Sequence, residues 1–324
     1  MHMPDSLISP VVGGVMLAAS GGIMAYSVKK SGVGFDSKKI PLAGVMGAFV
    51  FACQMVNFTI PPGGASGHLS GGLLLAAVLG PALACLTMAV VLLIQALFFA
   101  DGGLLAFGCN VFNLAFFSCF IAYPYIYKAI LRGRQTKKRI FLAAVPAGIA
   151  ATLLGAFSVV MQALFSNKTE LPFWPFLLSM QGIHLAIGAA EGLITAAVLI
   201  FITKARPEIL EHGTPRRSIK QIVICFAALA LVIGSAVSLF ASTHPDGMEW
   251  SIEQTATQEI ETQTAEKTEA IQDKIAWFPD YGGENLSAKS LAGLTGGAAT
   301  LVVALGLGFL IKRMQRNGAR EHNR

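Results

Sequence analysis

From residue 40 to residue 100 the chain runs for 61 residues without one Asp, Glu, Lys or Arg, and its only histidine there is His68. A soluble domain carries roughly 25% charged residues, whereas this 324-residue chain carries 13% and is 54% apolar. The uncharged stretch therefore belongs in a bilayer. It holds the apolar runs 40–59 and 70–100, and a third, 103–127, follows directly. A helix needs about 20 apolar residues to cross the hydrocarbon.

Charge sets the topology. Basic residues gather at Lys29, Lys30, Lys38 and Lys39, at 128–139, at 204–220 and after Ile311, which accounts for 20 of the 24. Such clusters mark the cytoplasmic side. One span, 7–28, precedes the first cluster, so the N-terminus is expected outside. An even number of crossings must join the first two clusters, yet three apolar runs lie between them. The run 70–100 carries Gly80-Pro81, a pair that breaks a helix, and splitting it there gives four. The piece 69–79 is then a half-span, at about 1.5 Å per residue. The loop before it, TIPPGGASGHLSGG, must already dip into the membrane. Irregular backbone survives at that depth only inside protein or beside a cavity, which makes His68 a site candidate.

Spans near 140–165 and 174–203 bring the number to seven, and 220–241 and 290–311 add two. The expected architecture is an all-α polytopic membrane protein with a re-entrant loop, multi-pass in the cell membrane. Residues 1–205 form a bundle of about seven helices, 206–219 a basic cytoplasmic linker and 220–324 a two-helix unit. Within that unit, 242–289 is extracytoplasmic and holds ten of the eighteen acidic residues. The net charge of +6 sits at helix ends, so no nucleic-acid partner is expected. Cys53, Cys85, Cys109, Cys119 and Cys225 show no CxxC spacing and read as small buried apolar residues.

The other end of interest is the start, MHMPDSLISP. No Lys or Arg precedes Lys29, so the positive region of a signal peptide is missing. Met1 is expected to keep its free amine, because His2 is too bulky for removal of the initiator. The Met1 amine and the His2 backbone nitrogen close a five-membered chelate ring around a metal. The same backbone nitrogen and the His2 imidazole Nδ1 close a six-membered one. A fourth nitrogen completes a square, the geometry that suits Ni(II) or Cu(II), and His68 is the natural donor. Binding releases protons, so affinity is expected to fall steeply in acid. Pro4, Asp5 and Ser6 fit a helix start, with Asp5 or Ser6 as N-cap.

Polar residues within spans are functional candidates by default. His184 and Glu191 are seven apart and both face inward on one helix; Glu191 serves either to neutralise a cation or to bond a neighbouring helix. Asn110 and Asn113 share a face, where they either orient the His68 ring, as metal sites require, or bridge helices. GGASGHLSGG is no phosphate loop, lacking the GK[ST] ending. No HExxH motif or Ser–His–Asp set is present.

With these residues in view, MHMPDSLISP, the segment PLAGVMGAFVFACQMVNFTIPPGGASGHLSGGLLLAAVLGP and DGGLLAFGCNVFN resemble the substrate-capturing membrane subunit of nickel/cobalt transporters. This is the NikM/CbiM type of S component in the energy-coupling-factor class of ATP-driven importers, and the resemblance covers roughly residues 1–205. It implies that metal binds through Met1, His2 and His68, the set reached above. Beyond 220, HPDGMEW (His244 to Trp250) is similar to the PDGLE motif of the small two-helix companion subunit, with Met248 in place of Leu, and PDYGG at 279–283 is a second echo. The chain is thus expected to be a capture subunit fused to its companion. The resemblance implies a transmembrane coupling subunit and cytoplasmic ATPase subunits as partners, nickel(II) or cobalt(II) as substrate and no organic cofactor. It implies no catalysis. His244 is read either as a solvated loop histidine or as a hand-over point for metal. Two rivals remain: an intramembrane metalloenzyme built on His68, His184 and Glu191, and a proton-coupled carrier. The carrier would need more deep carboxylates or an internal repeat.

Overall fold

The computed structural model describes residues 2–32, 39–61, 63–132, 135–168, 170–205, 220–256, 263–283 and 285–321. Met1 and the linker 206–219 lie outside the described residues. The chain is an all-α polytopic bundle. Among the described residues seven helices are long and apolar enough to cross a membrane. They are Pro10–Ser31, Pro81–Phe99, Phe107–Leu131, Lys137–Ser166, Phe173–Ala205, Lys220–Phe240 and Leu286–Met314. A shorter apolar helix, Lys39–Gln54, and the eight-residue Gly72–Leu79 lie between the first two of these spans in the chain.

The half-span is where the sequence placed it. Gly72–Leu79 is buried along its whole length and extends roughly 12 Å. Gly80, at φ 86°, ends it, and Pro81 opens the next helix at its first position. The preceding loop is more ordered than an irregular dip. Phe58–Ile60 and Ala65–Gly67 pair as an antiparallel hairpin, in the register Phe58 with Gly67 and Ile60 with Ala65. The pairing satisfies backbone groups of the loop, whose second strand is buried throughout. Gly71 sits at φ 78°, where an added Cβ would meet Val50 Cγ1 at 2.5 Å, so only glycine lets the loop lie on Lys39–Gln54.

The first span starts later than the sequence suggests. Asp5–Leu7 makes a separate turn and the helix begins at Pro10. Its cap is Ser9, whose Oγ accepts the Val12 N–H at 3.3 Å, so neither Asp5 nor Ser6 caps it. Phe107–Leu131 is wound as a π-helix from Phe112 to Tyr127. Small residues bring neighbours close, as expected where packing rather than water drives association. An added Cβ on Gly148 would lie 2.8 Å from Gly192 N, and one on Gly293 would lie 1.9 Å from the Gly234 carbonyl oxygen.

The two C-terminal spans pack on the central helices. Phe226 meets Phe49 edge to face at 5.0 Å, and a Cβ on Gly296 would strike Phe51 at 2.1 Å. The segment between them is more structured than a polar insertion with some helix in its middle. It forms the helices Gly247–Thr255 and Gln263–Ile275 and the turn Pro279–Gly282. It is also docked: the Ser66 N–H donates to the Pro245 carbonyl at 2.8 Å, and Phe278 N to the Phe98 carbonyl at 3.0 Å. These contacts gather the hairpin, the N-terminal arm and the acidic segment at one end of the bundle. Following the helices away from that end leads to Lys29, Lys128, Lys204 and Lys312.

Candidate metal centre

The N-terminal arm enters the bundle held by its backbone. Asn110 Oδ1 accepts the Met3 N–H at 2.7 Å and its Nδ2 donates to the Met3 carbonyl at 3.1 Å. Gly103 N donates to that same carbonyl at 3.0 Å, and Asp5 Oδ1 accepts the Ala106 N–H at 2.9 Å. Met3, Asp5, Leu7 and Ile8 are buried as a result. The arm fits because residue 103 has no side chain: an added Cβ would lie 1.8 Å from Asp5 Oδ1. Gly103→Ala is therefore expected to dislodge the arm at a cost of about 1–3 kcal/mol. Aminopeptidase digestion, which requires a released terminus, should proceed faster on the variant than on wild type.

His2 thus arrives beside His68. Both are 8% exposed, and their rings stack with centroids 5.1 Å apart and planes 12° from parallel. His68 Nδ1 lies 3.1 Å from the Leu69 carbonyl. A carbonyl only accepts, so Nδ1 carries the hydrogen and Nε2 the lone pair. That is the usual way a metal-binding histidine is fixed. His2 Nδ1 lies 3.2 Å from Asp101 Oδ1. Burial pulls the His2 imidazole from its ordinary value down to about 3, so the ring is neutral and the contact is polar rather than an ion pair. Its Nε2 is buried with no hydrogen-bond partner among the described residues. A neutral imidazole is the form that binds a metal.

Two roles were open to Asn110 and Asn113, orienting the His68 ring or bridging helices. Asn110 grips the arm instead. Asn113 exchanges two hydrogen bonds with Gln162, at 2.8 and 2.9 Å, and so bridges Phe107–Leu131 to Lys137–Ser166. Glu191 holds the loop: Oε2 accepts the Ser70 N–H at 2.6 Å and Oε1 the Gly71 N–H at 3.1 Å. With both oxygens committed to backbone, it is poorly placed as the base of a metalloenzyme. His184 Nδ1 contacts the Met180 carbonyl at 2.8 Å, and its Nε2, buried without a hydrogen-bond partner among the described residues, lines a small cavity shared with His68 and Asp246. His244 is exposed and contributes its carbonyl to Ser66 Oγ at 2.8 Å. All five cysteines are free.

Two residues near the centre were not singled out from sequence. Asp101, the lone carboxylate between two apolar runs, stands against His2. Its other oxygen accepts the Tyr281 hydroxyl. Burial pushes Asp101 above the ordinary carboxylate value, and the Tyr281 hydrogen bond opposes that shift. Asp246 of the HPDGMEW stretch caps Gly247–Thr255 in a reciprocal box with Glu249 and lines the cavity beneath His68.

Comparison with known proteins matches the same landmarks. The family described as "Cobalt uptake substrate-specific transmembrane region" matches residues 2–209, and the PDGLE domain matches residues 220–313. A fused nickel transport protein NikMN of Archaeoglobus fulgidus is 32% identical over 98% of this chain and 99% of its own. One of Rhodobacter capsulatus is 36% identical over 67% of this chain and 65% of its own. A crystal structure of a transition metal transporter superposes with a TM-score of 0.55 at 31% identity, covering 65% of this chain and 96% of that one. With an N-terminal arm and a buried loop histidine seated in an all-α membrane bundle, the chain belongs to the cobalt-uptake substrate-specific transmembrane family and carries a C-terminal PDGLE domain.

Proposed function

We propose that this protein captures nickel(II) at the outer face of the membrane and is the substrate-binding subunit of an ATP-driven importer of the energy-coupling-factor class. The metal is its substrate. The ligands in this reading are the Met1 amine, the His2 backbone nitrogen and Nδ1, and the His68 Nε2. Residues 1–205 hold the ion, 206–219 connect, and 220–324 act as the companion. A transmembrane coupling subunit and cytoplasmic ATPase subunits supply the energy. The observation that carries the reading is the stacked pair His2 and His68, two buried neutral imidazoles brought together from an arm and a loop. Coordination through Nδ1 exchanges the Asp101 contact for the ion. A nitrogen square suits nickel, and the fused relatives carry nickel in their names. Cobalt(II) is the second reading, favoured by the family's description.

The test is His68→Ala in purified protein. Nickel affinity is expected to fall by more than about 100-fold, since loss of a mere outer partner already costs 10–100-fold. The unfolding temperature should stay close to that of wild type, because Leu69, Ser70 and Gly71 keep their own contacts. Undiminished nickel binding would sink the proposed site.

A further inference from the structure

A line of polar side chains runs from His2 to the loop that carries His68. Tyr281 Oη donates to Asp101 Oδ2 and accepts from Gln95 Nε2 at 3.2 Å. Asp101 Oδ1 lies 3.2 Å from His2 Nδ1. On the far side, Gln95 Nε2 also donates to Gln54 Oε1 at 2.8 Å, and Gln54 Nε2 donates to the Ser70 carbonyl at 2.7 Å. Ser70 is two residues beyond His68, in the loop that Glu191 holds. Gln54 and Gln95 are both buried. The line therefore runs from one proposed ligand to the loop of the other, and Tyr281 is the member that the C-terminal half contributes.

The phenol is fixed in this place. Its ring stacks on Phe99 at 4.8 Å and 14°. Asp280 and Tyr281 both adopt left-handed backbone, at φ 46° and 52°. Left-handed backbone is strained for a non-glycine residue, and such strain persists only where surroundings impose it. Burial and the neighbouring Asp101 carboxyl push the Tyr281 hydroxyl well above its ordinary value, so it remains a donor at physiological pH.

Resting on the function proposed above, we infer that Tyr281 is a positioning residue for the metal centre: its hydroxyl sets the His68 loop through Gln95 and Gln54, and through Asp101 it parks the ion-free His2 ring over His68 until coordination at Nδ1 releases that contact. Without the hydroxyl, Asp101 loses the donor that aims it and Gln95 loses an acceptor. Both histidines then gain freedom, although every ligand atom is still present. The C-terminal half thereby acts on metal affinity directly.

The test uses the full chain with Tyr281→Phe, which keeps the ring and its stacking. Nickel affinity is expected to weaken about 10-fold, the low end for an outer partner. The visible absorption bands of bound Ni(II) should shift, a readout that simple loss of packing would not move. Asp101→Asn, which retains shape, is expected to weaken binding at least as much and provides the second variant should Tyr281→Phe fold poorly. Wild-type affinity and an unshifted spectrum in the variants overturn the inference. A parallel sample with one residue added before Met1 separates the two levels. If that extension leaves binding intact, the proposed site itself fails. If it abolishes binding while Tyr281→Phe and Asp101→Asn match wild type, only the role of Tyr281 fails.

Discussion

One glycine added before Met1 is expected to lower nickel affinity by more than about 100-fold, exceeding the loss from any outer partner. The extension turns the terminal amine into an amide and breaks the five-membered ring. Asn110 and Gly103 already clamp the Met3 carbonyl from two directions, so the arm cannot slide outward to compensate. The fold should hold, because Met3, Leu7 and Ile8 keep their packing. Titration calorimetry on purified native-start and extended proteins gives the ratio directly. Equal affinities would mean that the ion is held elsewhere.

The second large effect is on stability. Glu191→Gln is expected to destabilise the bundle by roughly 3 kcal/mol, the sum of one lost hydrogen bond and one buried donor left unsatisfied. Size and shape are preserved, yet the amide can turn only one oxygen toward two donors. Its NH2 must face either Ser70 N or Gly71 N, both of which need an acceptor. Glu191→Ala leaves both donors bare and should cost more. Since Ser70 and Gly71 lie two and three residues beyond His68 in the same loop, nickel affinity should fall together with the unfolding temperature. This separates the variant from His68→Ala, where affinity alone is lost. Thermal unfolding in detergent with and without nickel distinguishes the two patterns.

Much of the fold was legible because charge and helix-breaking residues act locally. The absence of charge between 40 and 100 and the Gly80-Pro81 break sufficed to place the half-span, since a bilayer leaves few alternatives. The hairpin at 58–67 was not legible. Its strands are three residues each, too short for a pattern. In the site, His2 and His68 stood out as histidines where few polar residues occur. For Asn110 and Asn113 two roles stayed open, orienting His68 or bridging helices, because one face of a helix meets several neighbours and spacing alone does not say which; Asn113 bridges. Asp101 and Tyr281 went unnoticed for a related reason. Their meeting spans 180 residues of sequence, and no local pattern in either segment announces the other.

That separation bears on the order in which the molecule can be made. The arm is synthesised first, but its neighbours Asp101 and Tyr281 emerge progressively later, and the turn carrying Tyr281 precedes the final helix. Contacts so distant along the chain form slowly, and membrane segments enter the bilayer largely in the order they leave the ribosome. The first residues translated are therefore among the last to reach their final surroundings. Until the C-terminal helices dock, His2 lacks the Asp101–Tyr281 pair beside it, so the centre is completed only when the last part of the chain is in place.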